Sequence, residues 1–468
     1  MSSNTKRIIL LIVVAQLLLA VAILALPRAV RALPGDYYLR LQHNRLTSGV
    51  MGLITTPMPA ALPAPAATTI GGNPAGDTQA ALNIPGLEDD LIARPGTTPT
   101  PQPTRQPVSS SASSLPTPTP LPSPPPMPTA TPRATAPPPP AAYTIDGLGV
   151  VIQGFNNCGP ANLSLVLNYF GDPTTQADAA AYLKPNREDR NVSPWQINDY
   201  VNEFTNLRST AHSGGNMTIL KQFIAAGIPV VVEKGYLPNE EEGWYGHYLT
   251  VYGYDDTRQE VYTRDTDAGP FDGSARVDPY DDFLYWWQQF NYTFYVVYEP
   301  GQQTLVDSII PAVLQDEMSM WQYTSDLARE EMAADPNNVF AIFNLGVSQT
   351  RLGQLTGEQS YYEAGAAAFD RARAIGLPPR TLYYEHRPFM AYWKTGRMDD
   401  VLTLVDAMLA TPGGRYVEEI YWYQGHALAA EGDYLGARQA YQNALEVNPN
   451  FYLAQQSLDW LNATFFGG

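Results

Sequence analysis

Hydrophobic and polar positions divide this chain into four regimes. Residues 8–26 are apolar throughout except for Gln16, with Lys6 and Arg7 just ahead of the run. Residues 97–142 show no apolar period and are almost all Pro, Thr, Ser and Ala, ending in Pro137-Pro-Pro-Pro140. Between 143 and 300, short stretches alternate between helical spacing and the period of two that marks strands. From 313 to 468 the apolar positions recur only at helical spacing. This predicts an N-terminal anchor or signal over 1–34, a poorly ordered segment over 35–96 with a short helix near Tyr37–Leu46, and a linker over 97–142. An α+β domain follows over 143–300, and an all-α region over 313–468.

A run of ~19 apolar residues at ~1.5 Å each spans a ~30 Å hydrocarbon core. It is longer than the ~7–15 residues of a cleavable signal, although Val30-Arg31-Ala32 is a weak cleavage pattern. Arg28 and Arg31 follow the run as closely as Lys6 and Arg7 precede it, so flanking charge alone does not orient it. The Pro/Thr-rich stretch does, because such composition is typical of the cell exterior. The expectation is a single-pass membrane protein with its C-terminal domains extracytoplasmic. Unable to bury enough apolar surface to order itself, the stretch reads as a disordered, extended spacer at ~3.1 Å per residue, reaching up to ~130 Å.

In the 143–300 domain the order reads helix 159–170, helix near Trp195–Phe204, helix near Met217–Ala226, then strands Val230–Glu233, His247–Tyr254, Glu260–Asp265 and Tyr292–Tyr298. Helices come first and an antiparallel sheet follows, the signature of an α+β domain.

The chain has 468 residues and a net charge of −18. That charge argues against a nucleic-acid partner, which requires a basic patch. It also argues against anionic lipid surfaces. Cys158 is the only cysteine, so no intrachain disulfide and no Cys-rich zinc site can form. No cofactor or metal is expected. Asp265-x-Asp267 with Asp272 does not match a calcium loop and reads as a solvated acidic turn. Glu240-Glu-Glu242 reads as a solvated charge run that could rim a cleft.

Cys158 stands at the start of a helix, where unpaired N–H groups and the dipole favour a thiolate. Gly159-Pro160 suits a first turn. A base must share the thiol proton. Of the five histidines, His43 lies outside the domain, His386 and His426 lie in the helical region, and His212 sits in a Ser/Gly-rich loop. His247 opens a strand and is the best placed. If Tyr254 pairs with Arg258 across the turn 255–259, Asp265 faces His247; a register two residues longer brings Asp267 instead. Asp265 is preferred because it shares a face with Val261 and Thr263. Gln153, five residues before the thiol, can supply an amide to an oxyanion hole with the Cys158 N–H.

Gln153-x4-Cys158-Gly-Pro-Ala, the Gly246-His247 strand opening and Asp265 resemble the papain-like peptidase family that includes the double-glycine-leader (bacteriocin-processing) peptidases, and more closely its stand-alone peptidase-like branch. The resemblance covers about 143–300. It implies a papain-like fold with Gln153 as oxyanion donor, Cys158 as nucleophile, His247 as base and Asp265 as orienter. Two features depart from the family: no ATP-binding loop is present, and Thr266 rather than proline follows the aspartate.

In the C-terminal region, Tyr421, Gly425, Leu428, Gly432, Ala437, Tyr441, Ala444 and Pro449 are spaced as in the tetratricopeptide repeat, a helix-turn-helix unit. An earlier unit carries Leu345, Gly346, Gly353, Phe369, Ala372 and Pro378 with an insertion around 354–362. A degenerate unit spans 383–412, and a half-unit ends at Pro336. Such stacks imply a protein partner, or else a cap on the preceding domain. The expected function is a membrane-anchored cysteine peptidase acting on a peptide or protein. The alternative is a surface scaffold whose papain-like domain binds peptides without cutting them.

Overall fold

The structure is a computed structural model that describes residue 16 and residues 61–66, 138–238 and 243–467. The apolar run 8–26 apart from Gln16, the helix expected near 37–46, most of the 97–142 linker and the Glu240–Glu242 rim lie outside the described residues. Among the described residues, no helix is long and apolar enough to cross a membrane.

The first region holds strand β1 (Ala142–Thr144), helices α1 (Cys158–Tyr169), α2 (Gln176–Leu183) and α3 (Pro194–Phe204), strand β2 (Arg208–His212) and helix α4 (Met217–Ala225). Strands β3 (Val230–Tyr236), β4 (Tyr245–Asp255), β5 (Glu260–Arg264) and β6 (Arg276–Pro279), helix α5 (Tyr280–Gln288) and strand β7 (Phe294–Tyr298) complete it. One sheet runs in the order β2-β7-β3-β4-β5-β6, with β1 also paired to β4, and every pairing is antiparallel.

Period-two patterning assigns the faces. Val231, Tyr248, Tyr295 and Val297 pack under Leu163, Val166 and Leu167 of α1 and Ile197 and Val201 of α3. Their neighbours Val230, Val232, Leu249 and Val296 pack on the opposite face with Phe223 and Ile224 of α4. A sheet so covered lets α1 start against the middle of β4. At that start, a Cβ on Gly159 would lie 3.3 Å from Val192 and 3.5 Å from the Tyr248 ring.

Several elements differ from expectation. His212 ends strand β2 rather than lying in a loop. Helix α2 was not foreseen, yet Thr175 and Asp178 close a capping box at its start. Helix α5 is the aromatic-rich stretch; Phe283 and Trp287 are buried while Tyr285 faces out. The β4–β5 register pairs Tyr254 with Val261, not Arg258, and a bulge lies between Val251 and Gly253.

The second region is a run of helices: α6 (Gln303–Ile309), α7 (Ala312–Gln315), α8 (Glu317–Ala334), α9 (Val339–Thr356), α10 (Gln359–Ile375), α11 (Arg387–Lys394), α12 (Met398–Leu409), α13 (Glu418–Ala430), α14 (Tyr434–Val447) and α15 (Tyr452–Leu461). The residues at 354–362 form no loop: α9 ends on left-handed Gly357, α10 starts two residues later, and the added length lies in the two helices, of 18 and 17 residues. Helix pairs approach closely where a glycine meets a ring, Gly346 against Phe369 and Gly425 against Tyr441, with no room for a Cβ at either glycine.

The helices do not stand apart from the sheet. Trp244, just ahead of β4, stacks on Phe290 and Phe340 and meets Tyr384 edge-on. Arg380 lies 3.9 Å from the centre of the Tyr245 ring. Residues 61–66 also lie on the helices: Leu62 is buried and its N–H donates to the Leu377 carbonyl at 3.0 Å. The span 35–96, expected to be poorly ordered, thus contains one docked stretch.

Candidate active site

The thiol opens α1. No side chain caps that helix, so the N–H groups at its very start are not taken up by a cap. The loop ahead of it is pinned by Gln176: its Oε1 accepts from the Gly154 N–H at 2.8 Å and from Asn157 Nδ2 at 3.3 Å, and its Nε2 donates to the Ile152 carbonyl at 2.8 Å. Cys158 is half-buried, whereas His247 and Asp265 are buried.

His247 Nε2 lies 2.9 Å from Asp265 Oδ1. This leaves Nδ1 of the ring for the thiol, with which His247 is hydrogen-bonded. Asp265 is held in turn: Oδ2 accepts from Arg276 Nη1 at 2.6 Å, and Oδ1 from the N–H groups of Asp267 and Ala268 at 3.0 Å each. Extending the β4–β5 pairing past Thr250↔Arg264 sets Asp265 nearest Leu249. The carboxylate therefore reaches His247 from a loop beyond the strand end, not as a directly opposed cross-strand pair. Asp267, the rival, is exposed and accepts from Gln153 Nε2 at 3.1 Å.

The electrostatics follow from these contacts. Burial pushes the Cys158 thiol up, but the hydrogen bond and charge of His247, a backbone hydrogen bond at Tyr248 and the Lys184 ammonium outweigh it, and the thiol sits below its ordinary value. Burial pulls His247 down, but the charge and hydrogen bond of Asp265, then the thiol, raise it to about 9. Burial pushes Asp265 up, but His247, the Ala268 N–H and Arg276 hold it well below the carboxylate range. All three shifts favour a thiolate beside an imidazolium. His212 and His386 are instead lowered to about 4 by burial, and His426 further still. His212 is spent on the Leu314 carbonyl and Thr210 Oγ1. Among the described histidines only His247 is poised to carry a proton.

Gln153 lies near this group but not inside the cleft. Its N–H donates to the Thr266 carbonyl at 2.8 Å and its Oε1 accepts from Thr266 Oγ1 at 2.9 Å. The cleft, a narrow one, is lined by Cys158 and His247 but not by Gln153. The acidic triplet considered for calcium is dispersed, since Asp272 caps Ser274 while Asp265 and Asp267 face different partners.

Two contributors were missed from the sequence. Asn162, fully buried one turn along α1, shares the two N–H groups of Nδ2 among the carbonyls of Cys158 and Tyr248 and Thr266 Oγ1, all at 3.0–3.1 Å, and accepts from Thr250 Oγ1 at 2.6 Å. It ties the thiol helix, the histidine strand and the aspartate loop together. An amide on the apolar stripe of α1, four residues after the thiol, was the available signal. Tyr384 of the helical region is the second: it lines the cleft, and a Cβ at Gly246 would collide with Phe290 and Tyr384. Glu233 lines the cleft as well, and burial, then the charges of Glu385 and Cys158, raises its carboxyl well above the ordinary range.

Residues 142–295 match the model of the Peptidase_C39 like family. The match runs from β1 into β7 and takes in Cys158, His247 and Asp265. A solved structure of a C39-like peptidase from Bacillus anthracis aligns over 34% of this chain and 98% of its own length, at 16% identity and a TM-score of 0.28. No curated protein matches the chain. At family level the C39-like region corresponds to a papain-like cysteine peptidase fold.

Proposed function

We propose that the chain is a thiol peptidase whose C39-like region cleaves peptide or amide bonds. The observation that carries this reading is the buried His247, bound through Nε2 to Asp265 with its other nitrogen free for a thiol at an uncapped helix start. Cys158 attacks the scissile carbonyl as a thiolate. The proton held on His247 then passes to the leaving amine as the tetrahedral intermediate collapses to a thioester and releases the first product. Water, deprotonated by neutral His247, attacks the thioester; collapse returns the thiol and the acid product. Asp265 keeps the ring oriented and stabilises the imidazolium. The Cys158 N–H stabilises the oxyanion. Gln153, whose amide is held beside the cleft by Asp267 and Thr266, joins it by turning one amide N–H inward when substrate is bound.

The helical region is a stack of repeats of the tetratricopeptide kind that binds a protein or peptide. The apolar run 8–26 anchors the chain, with both folded regions outside the membrane.

Iodoacetamide kinetics test the chemistry. Cys158 is expected to alkylate fast below pH 7, and His247→Ala to lose that reactivity together with hydrolysis of a peptide library. Labelling as slow as that of free cysteine would leave the non-cutting peptide binder as the surviving reading. Protease added to whole cells tests the topology: full protection of both folded regions would place them in the cytoplasm.

A further inference from the structure

Residues 61–66, Ala-Leu-Pro-Ala-Pro-Ala, lie in a groove between α10 and α12. The helices hold the segment by its own backbone groups, and Leu62 is its buried side chain. The Leu62 N–H donates to the Leu377 carbonyl just past the end of α10, at 3.0 Å. Arg373 forks across the segment, with Nε donating to the Pro63 carbonyl at 2.9 Å and Nη2 to the Ala64 carbonyl at 3.0 Å. The Ala66 N–H donates to Asp400 Oδ1 at 3.0 Å. Arg373 and Asp400 are themselves paired at 2.8 Å, with side chains 1% and 2% exposed. Asp400 is braced from behind by Arg397, which also grips Asp370 with both terminal nitrogens.

A buried Arg–Asp pair is weak evidence of stability in itself, because its desolvation offsets much of its attraction. Here the pair has donors and an acceptor left over, and the segment meets them. Arg373 reads two successive carbonyls and Asp400 reads the N–H two residues on, so the groove selects an extended backbone. Leu62 supplies the apolar anchor. The segment suits such a groove: Pro63 and Pro65 lack N–H groups that would otherwise need partners, and they hold the chain extended before it docks.

We infer that the α10–α12 groove is a peptide-binding site for an extended, proline-containing chain with a leucine anchor, and that residues 61–66 are its tethered occupant. A peptide supplied in solution competes with a segment held at millimolar effective concentration, so the site is masked until the tether is disabled. The inference is independent of the thiol chemistry.

The probe is a fluorescein-labelled peptide with the sequence of residues 59–68, titrated against the full chain in detergent micelles with polarisation as the readout. Leu62→Ser combined with Pro63→Gly and Pro65→Gly alters only the tether and leaves the helices intact. This triple variant is expected to bind the peptide at least ~10-fold more tightly than the wild type. Adding Arg373→Gln to it should abolish that gain, and adding Asp400→Asn, a milder change, should reduce it. Hydrogen exchange of the wild type gives a second readout, in which the Leu62 and Ala66 amides are protected. The inference is overturned if the triple variant binds no better than the wild type, if Arg373→Gln and Asp400→Asn leave binding unchanged, or if those two amides exchange at the rate of an unstructured peptide.

Discussion

Replacing Asn162 by leucine keeps the volume of the side chain and removes every polar contact it makes. The Tyr248 carbonyl and the Thr250 hydroxyl, both bonded to Asn162 inside the protein, lose those partners. A buried polar group left without a partner costs about 1–3 kcal/mol, so two cost about 2–6. The added apolar burial of leucine returns about 1–2 kcal/mol. At the middle of both ranges the net loss is about 2.5 kcal/mol, and at ~2–4 °C per kcal/mol for a region of this size the melting temperature should fall by roughly 5–10 °C. A thermal melt followed by circular dichroism measures it. The chemistry should suffer alongside, because Tyr248 adjoins His247, Thr266 adjoins Asp265, and Asn162 holds both. Iodoacetamide labelling of Cys158 below pH 7 should slow at 20 °C, where the variant is still folded. Asn162→Asp, which puts an acceptor where two carbonyls need a donor, should be at least as damaging. An Asn162→Leu protein that melts within 1 °C of the wild type and labels at the same rate would refute the clamp.

The remaining predictions concern charge and the cleft wall. The active ion pair exists above the lowered thiol value and below the raised histidine value; activity should therefore climb with pH through the thiol titration and fall as pH passes about 9, where His247 loses its proton. A pH–rate profile that keeps rising through pH 10 would contradict this. Asp265→Asn removes the charge that holds the imidazolium, so the alkaline limb should move to lower pH and labelling below pH 7 should slow. Tyr384→Ala opens one wall of the cleft and should change KM for peptide substrates more than it changes alkylation by a small reagent. Gly246→Ala drives a methyl into Phe290 and Tyr384 and should loosen the sheet–helix contact, seen as faster proteolysis between the two regions.

The parts of the site that chemistry requires were legible in the sequence, and the parts that geometry requires were not. Cys158 is the one cysteine and His247 one of five histidines, so both could be named before any contact was known, and Asp265 followed from its place at the end of the paired strand. The reason given for Asp265 was less secure: the assumed Tyr254–Arg258 register is wrong, and the carboxylate succeeds because the loop after β5 turns it toward His247 and Arg276 holds it there. His212 was misplaced because Ser213-Gly-Gly reads as a loop, whereas pairing with β7 makes Arg208–His212 a strand. Helix α5 was hidden because its aromatic residues are indifferent helix formers, and packing rather than propensity decides its shape. Tyr384 could not have been anticipated. It lies far along the chain from the thiol, and only the fold brings it to the cleft.

The docked segment changes how the molecule would transmit force. Without it, a pull from an anchor at 8–26 would run through the whole Pro/Thr-rich stretch and enter the folded body at β1. With Leu62 seated under Leu377 and the Arg373 fork closed, tension enters at residues 61–66 and passes into α10 and α12 first. Residues 67–137 would then carry none of the pull from such an anchor. Cutting it would leave the body moored, while cutting between 27 and 60 would set it free. The tether's working length is thus set by the chain ahead of Leu62, at no more than ~3.5 Å per residue, and a strong enough tug would unseat the segment before it reached the thiol domain.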